Sequence, residues 1–378
     1  MIRVAFLVKL TPGGIERIAL TSLQALAKLN LSLDLVNTGS TSPQMDFLPD
    51  SVRVIHLHRD IESSVKRSYS LILPLTDYLR KEHPDILISH LVYVNFISII
   101  ARFLAQSSSK LILVEHLPLL SQLQPEKQQL KTQNRQTQAL LIGLRRLLYP
   151  LADQVVAVSN GIAELLAADL KMKPSSIRVI YNPVMNSSLL EKAQESIEHP
   201  WFECTQPPVI IANGRLAVEK DYPTLIKAFA LLRQKRPAHL LILGEGNLRP
   251  SLERLIEKYQ LTSEVSLLGF VTNPYVYMRR ASVLVLSSRW EGLPTVLIEA
   301  LAVGCQVVST DCPYGPAEIL AEGTYGRLVP MGDVEALAAA MAQALDNPIN
   351  PELLKKRSQE FSVEKAVSQY LKLMEIEA

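Results

Sequence analysis

Two consecutive series of short apolar strands, each separated by helical patterns, constrain the fold of this chain more than any other feature. The first series reads VAFLV (4–8), LDLV (33–36), VRVIHL (52–57), DILISH (85–90), KLILVEH (110–116) and QVVAVS (154–159). Between the first two lies an amphipathic helix with Ile15, Ile18, Ala19, Leu23 and Leu26 on one face. The second series reads VIIANG (209–214), HLLILG (239–244), VSLLGF (265–270), ASVLVLSS (281–288), QVVST (306–310) and RLVP (327–330). Strands that alternate with helices imply βαβ units and mostly parallel sheets. The fold class is therefore α/β, with two doubly wound domains. Such sheets bind ligands outside the carboxyl ends of their strands, so two of them facing each other would enclose an inter-domain cleft.

Length agrees, because 378 residues exceed one ordinary core. The strand and helix pattern breaks between about 187 and 207, in a polar, proline-containing stretch that ends at Pro207-Pro208. The expected organisation is a first domain over 1–187, a linker over 188–207, a second domain over 208–360, and a C-terminal helix over 361–378 that packs back on the first domain. Cys204, Cys305 and Cys312 have neither metal-ligand spacing nor a disulfide pattern, and read as packing residues in a reducing compartment. MIRVAFLV runs directly into a strand with no cleavage site, which points to the cytoplasm. The longest apolar run, Leu91 to Leu104, contains Asn95 and Arg102 and is too short to span a bilayer, so it reads as a buried helix.

Net charge is +2 but unevenly divided: residues 1–190 hold 20 Lys+Arg against 14 Asp+Glu, and the rest 19 against 23. That excess is too modest for a nucleic-acid binder. A basic first half suits an anionic membrane surface or acceptor. Leu140, Leu141, Leu144, Leu147, Leu148 and Leu151 form one helical face, either a core helix or one lying on a membrane.

The segment SSRWEGLPTVLIEALAVG (287–304) carries most of the chemistry. It reads as a loop holding Glu291, then a helix starting near Pro294 with Glu299 inside it. A helix N-terminus offers unpaired N–H groups and partial positive charge to a phosphate. Carboxylates beside it accept hydrogen bonds from the hydroxyls of a sugar or ribose. Gly214-Arg215 ends the first strand of the second series, and Lys220 follows closely, so the two cations could clamp a diphosphate. Gly13 and Gly14, after Pro12, open the first helix where a backbone could approach a phosphate. Gly244-Glu245-Gly246 reads as a turn that starts a helix more than as a binding element, at a place that could border the nucleotide. His116 and His90 end their strands where a parallel sheet delivers residues to its ligand, and a lone histidine is otherwise structural. DCPYGPAEI (311–319) either lines the sugar pocket or connects elements. No D-x-D pair, phosphate-binding G-x-x-x-x-G-K-[ST] loop, G-x-S-x-G elbow or H-E-x-x-H helix is present.

Together PGGIER, VSNGI, VIYNPV, NGRLAVEKDYPTLIKAF, LLILGEGNLRPSLE, VSLLGF and SSRWEGLPTVLIEALAVG resemble the GT-B-fold retaining glycosyltransferases of family four, over nearly the whole chain. The resemblance implies two Rossmann-like domains, acceptor-binding first and nucleotide-sugar-binding second. It places Glu291 on the donor sugar with Gly292 and Leu293, and Glu299 on the ribose. Pro294 and Thr295 belong to the same donor-binding segment. Arg215 and Lys220 match the diphosphate-binding pair, His116 the histidine bordering the reaction centre, Gly13-Gly14 the glycine loop, and Val271 the position against the base. Gly214 and Gly244 fall among the donor-binding glycines. The run STDCPYGPAEIL further resembles a subgroup that builds bacterial surface polysaccharides and lipid-linked oligosaccharides. That subgroup often has arginine where this chain has Ala317.

The expectation is a cytoplasmic hexosyltransferase-type enzyme, peripheral on the inner face of the cytoplasmic membrane. It moves a sugar from a nucleotide sugar, UDP-linked, to a glycan or lipid-linked glycan, with no metal and no cofactor beyond the nucleotide sugar as co-substrate. A GT-B nucleotide-sugar epimerase and a non-catalytic nucleotide-sugar-binding subunit are the alternatives.

Overall fold

The structure, a computed structural model, describes residues 1–10, 13–39, 45, 47–57, 69–117, 131–203 and 207–376, with backbone alone at 69 and 131–138. Pro12, most of the loop after His116 and Cys204 lie outside the described residues. The chain divides into two compact units, Met1–Pro183 with Val363–Ala378, and Val184–Ser362.

In the first unit the strands are β1 (Ile2–Val8), β2 (Leu31–Asn37), β3 (Val52–His56), β4 (Ile86–His90), β5 (Lys110–Glu115), β6 (Gln154–Ala157) and β7 (Arg178–Val179). They pair in parallel in the order β3-β2-β1-β4-β5-β6-β7. Central strands such as β4 are buried at every residue, which is why they read as continuous apolar runs, not as an alternation. β7 has two residues, too few for any periodicity to betray it.

Helix Gly14–Leu26 buries Ile18, Ala19, Leu23 and Leu26 as its spacing predicts. The C-terminal helix Val363–Met374 packs against it through a face that buries Ala366, Tyr370, Leu371 and Met374. Lys110 Nζ then pairs with Glu375 just beyond, at 2.7 Å. Helix Val92–Ala105 accounts for the Leu91–Leu104 run and buries Asn95 and Ser98, but Phe103 at its end is exposed.

The second unit contains β8 (Val209–Asn213), β9 (His239–Leu243), β10 (Val265–Gly269), β11 (Val283–Leu286), β12 (Gln306–Thr310) and β13 (Arg327–Val329). Their order is β10-β9-β8-β11-β12-β13, again all parallel. Leu225, Ile226 and Phe229 of helix Tyr222–Arg233 share one core with Leu337 and Met341 of helix Val334–Asp346 and with Ile210, Leu240 and Ile242 of the sheet.

The expected linker needs correction. Residues from Val184 onward belong to the second unit, and 188–207 begins inside the helix Ser187–Lys192. Asn186 caps that helix by accepting a bond from Leu189 N at 2.8 Å. The amides of Val184 and Met185 donate to Phe361 O, both at 3.1 Å, while Met185 and Leu189 bury against Ala302. The boundaries therefore fall after Pro183 and Ser362, not at 187 and 360. Asn186-Ser187-Ser188 has loop composition because the same residue types make helix caps.

Candidate functional site

Within the second unit the strand order reverses between β8 and β11. Connections leaving neighbouring strands at such a point run to opposite faces and open a crevice at their carboxyl ends. The loop after β8 carries Gly214 to Asp221; the loop after β11 carries Ser287 to Pro294. Lys220 Nζ meets Glu291 Oε1 at 2.6 Å, with the side chains 18% and 12% exposed. Ser288 Oγ donates to the same oxygen at 2.6 Å. An ion pair this little exposed is only weakly screened by solvent, and it sets a cation beside a hydrogen-bond acceptor.

Several bonds fasten the two loops together. Ser287 Oγ donates to Lys220 O at 2.7 Å and Arg289 N to Glu219 O at 2.8 Å. Arg289 Nε reaches Asp221 Oδ2 at 3.0 Å, and Thr224 Oγ1 donates to the same oxygen at 3.0 Å. Asp221 sits in the left-handed region at φ 45°, a conformation aspartate tolerates better than most residues. Tyr222 OH donates to Gly214 O at 3.0 Å. Burial holds that phenol well above its ordinary range, so it stays a donor. Cys312, beneath Glu291, has its thiol pushed up to about 12 by burial and then by the Glu291 charge, so it is not a nucleophile.

Arg215 and Lys220, the expected diphosphate clamp, are each paired with a carboxylate. The Arg215 guanidinium is 74% exposed and pairs with Glu219 Oε1 at 2.8 Å, while Lys220 takes Glu291. Gly214, Gly244 and Gly269 stand in a row at the ends of β8, β9 and β10, joined by Gly214 N to Leu243 O (2.9 Å) and Gly244 N to Gly269 O (2.7 Å). At Gly244, with φ +136°, a Cβ would lie 2.0 Å from Gly214 O, so only glycine fits there. The turn reading of this position thus gains a steric basis. Val271 follows Gly269 on the outermost strand's loop and is half-buried.

Pro294 is the N-cap of helix Thr295–Ala302 and has no side-chain cap bond. Gly315, at φ +92°, lets the β12 loop close on this turn, since a Cβ there would meet Pro294 Cδ at 2.5 Å and Gly292 O at 2.9 Å. Leu293 is buried and Thr295 opens the helix. Glu299 sits one turn further in at 2% exposure. The loop 311–319 is thereby tied to the Glu291 segment, also through Glu291 N to Pro313 O at 3.3 Å. Cys305 and Cys312 are free and buried.

In the first unit the order reverses between β1 and β4. Gly13 is the N-cap of the helix after β1 and accepts from Arg17 N at 3.2 Å; Gly14 has open space around it. His116, just after β5, is buried and bonded to His90 at the end of β4, His90 Nδ1 to His116 Nε2 being 2.8 Å. Burial lowers His116 to about 4 and holds His90 well below its ordinary value, so both rings are neutral. The adjacent Glu115 belongs to a buried cluster, with Arg145 Nη2 at 2.9 Å and Asn95 Nδ2 at 3.1 Å, and with Tyr149 OH donating to it. Sequence reasoning gave no role to this cluster, to Ser288, or to Glu16. Glu16 is buried in the first turn after Gly13, with both carboxylate oxygens lacking a partner among the described residues. A charged residue on an otherwise apolar helix face was the only signal for it.

Among the described residues no group of three or more His, Cys, Asp or Glu side chains is placed to hold a metal ion, and no helix is long and apolar enough to cross a membrane.

Two doubly wound parallel domains define the GT-B class, and solved structures share it. Sucrose-phosphate synthase of Thermosynechococcus elongatus matches with TM-score 0.81 and 20% identity, over 99% of this chain and 98% of that one. Anabaena HepE, solved in complex with UDP and glucose, matches with TM-score 0.73 and 19% identity, over 99% and 100%. The family models place the chain more narrowly: residues 12–185 match Glycosyltransferase Family 4 and residues 194–361 match Glycosyl transferases group 1. The chain belongs to the group 1 glycosyltransferases. One relative is the N-acetylgalactosamine-N,N'-diacetylbacillosaminyl-diphospho-undecaprenol 4-alpha-N-acetylgalactosaminyltransferase of Campylobacter jejuni, 34% identical over 53% of each chain. Another is the lipopolysaccharide core biosynthesis glycosyltransferase LpsE of Rhizobium meliloti, 30% identical over 59% of this chain and 64% of that one. The chain thus spans about half to two thirds of the length of these curated relatives.

Proposed function

We propose that this protein transfers a sugar from a UDP-linked donor to a hydroxyl of a glycan or lipid-linked glycan acceptor in surface-polysaccharide synthesis, with retention of anomeric configuration. The observation that carries the reading is the Lys220–Glu291 pair at the switch point of the second sheet. A cation and a carboxylate there suit a ligand with a phosphate and a sugar at adjacent positions. Lys220 and Arg215 meet the charge that develops on the departing diphosphate, assisted by backbone N–H groups at Gly292, Leu293 and Thr295. Glu291 holds hydroxyls of the transferred sugar, Glu299 the ribose, and Val271 the base. Gly13, Gly14 and His116 serve the reacting sugar from the first unit. The acceptor hydroxyl attacks the face that the diphosphate leaves, through an oxocarbenium-like state, and no metal is required. Support for the donor comes from HepE, a structural neighbour solved with UDP and glucose. Support for a lipid-linked acceptor comes from the diphospho-undecaprenol acceptor in the name of the C. jejuni relative.

The test is UDP release from a panel of UDP-sugars, with and without lipid-linked acceptors and with a chelator. Arg215→Ala and Lys220→Ala are expected to fold normally and lose about 10²–10³ in kcat. Near-parent rates in both variants, sugar conversion without any acceptor, or strict dependence on added metal each reject a part of the reading.

Contact with the inner face of the cytoplasmic membrane is part of the same proposal. Leu140, Leu147 and Leu151 are 64%, 69% and 57% exposed along one helix face and its end, next to basic Arg146. Replacing all three by serine should weaken pelleting with anionic vesicles at least about tenfold. Unchanged pelleting would exclude this surface.

A further inference from the structure

Two neutral imidazoles in contact share a single proton, and here the sharing has a direction. His90 Nδ1 and His116 Nε2 lie 2.8 Å apart, and the ring centroids are 5.1 Å apart with the planes 29° from parallel, so the rings meet edge to edge. The two outer nitrogens, His90 Nε2 and His116 Nδ1, are buried and have no partner among the described residues. If His90 donates, the pair leaves a lone pair at His90 Nε2 and an N–H at His116 Nδ1. If His116 donates, the N–H is left at His90 Nε2 and the lone pair at His116 Nδ1.

His90 is the more enclosed ring, 1% exposed against 4% for His116, with Phe6 stacked on it at 5.9 Å. Either arrangement leaves one N–H and one lone pair at a buried nitrogen, and the N–H, the costlier group to strand, is better left on the less enclosed His116, so the first arrangement is favoured. The backbone holds His90 in that position. Leu91, the next residue, has φ +82°, an outlier for a branched side chain, and turns the chain directly into the helix Val92–Ala105. Strain of this kind persists where the surroundings over-determine a functional geometry.

We propose that His90 is a positioning residue that fixes the tautomer of His116, so that His116 presents its Nδ1–H as a donor to an oxygen of the sugar substrate. This rests on the assignment of His116 to the reacting sugar. It makes His116 an orienting donor at a sugar oxygen, not a base that takes the acceptor's proton. A neutral ring already protonated at Nδ1 has no lone pair there to accept one.

The experiment is long-range proton–nitrogen NMR on the full chain labelled with [15N]histidine, with the His116 signals identified by their loss in His116→Asn. The expected result is a protonated Nδ1 and an unprotonated Nε2 at His116. His90→Leu should alter that tautomer balance and lower kcat about tenfold or more. His90→Asn, whose amide can place an N–H where Nδ1 stood, should restore both relative to His90→Leu. A proton on His116 Nε2 in the parent protein overturns the proposal. So does a His90→Leu variant with unchanged tautomer and turnover. Should His90→Leu not fold, the parent tautomer and His90→Asn still decide. The stated tautomer in a protein that transfers no sugar would leave the histidine geometry standing and overturn the sugar role alone.

Discussion

Replacing Gly244 by alanine is the sharpest single probe of how the second unit builds its site. The added Cβ would lie 2.0 Å from the Gly214 carbonyl oxygen and 2.8 Å from its carbon, both backbone atoms. Ordinary contact begins near 3.4 Å, so the Gly214 carbonyl must retreat by about 1.4 Å. That carbonyl receives the Tyr222 hydroxyl at 3.0 Å, and the Gly214 amide is bonded to Leu243 O at 2.9 Å. Strain at φ +136° costs about 1–3 kcal/mol, and losing one of these hydrogen bonds adds roughly 1 kcal/mol. A total of about 2–4 kcal/mol lowers Tm by roughly 4–16 °C in a domain of this size. Function should suffer beyond the folding loss, because Gly214 directly precedes Arg215 and its would-be Cβ is 3.2 Å from Lys220 Cε. A displacement of about 1 Å at a positioned group can cost 10²-fold in rate. Thermal unfolding and UDP-release kinetics, measured at a temperature where the variant is fully folded, separate the two effects. A Gly244→Ala variant with unchanged Tm and unchanged kcat/KM would refute the claim that strand-end glycines set this site.

Two further outcomes are expected. The folded protein holds His116 at about 4, against an unfolded value near 6.5, with His90 shifted in the same direction, so the unfolded chain binds more protons between those values. The stability from keeping these rings neutral is complete above pH ~6.5 and is lost as pH falls toward ~4, by about 3 kcal/mol for His116 alone; urea unfolding between pH 7 and 4.5 should show that slope, and a His90→Asn/His116→Asn double variant should flatten it. Glu291→Ala should bind UDP about two- to tenfold tighter while losing sugar transfer, since it frees Lys220; calorimetric titration showing weaker UDP binding would contradict this.

Both sheets were legible in the sequence because parallel strands buried on two faces leave unmistakable apolar runs, such as HLLIL at β9 and VLVL at β11. The short β7 and the start of the second unit were not. Arg178–Val179 is too brief to carry a period, and Asn186 looks like loop until Leu189 N is seen bonded to it. At the site, Lys220 and Glu291 were singled out by residue type and neighbourhood. Their bond links positions 71 residues apart, a contact that no local pattern encodes. The pairing of Arg215 with Glu219 was hidden differently. Both residues were in view, but a cation near a strand end reads equally as a ligand clamp or as a solvated ion pair until its partner is known.

That pairing has a consequence for how a donor would enter. The loops after β8 and β11 present three cations and three carboxylates, matched one to one as Arg215–Glu219, Lys220–Glu291 and Arg289–Asp221. A diphosphate arriving at so balanced a site gains little from net charge and must compete with a carboxylate for Lys220. Giving up that lysine would leave Glu291, 12% exposed, with the Ser288 hydroxyl as its one side-chain partner among the described residues. On the proposed reading a sugar attached to the diphosphate removes the penalty, because its hydroxyls donate to Glu291 as Lys220 turns to the phosphate. UDP alone supplies one half of the exchange and strands the other. The same two residues would then favour the intact donor over the spent nucleotide, and release of UDP after transfer would be driven by the return of Lys220 to Glu291.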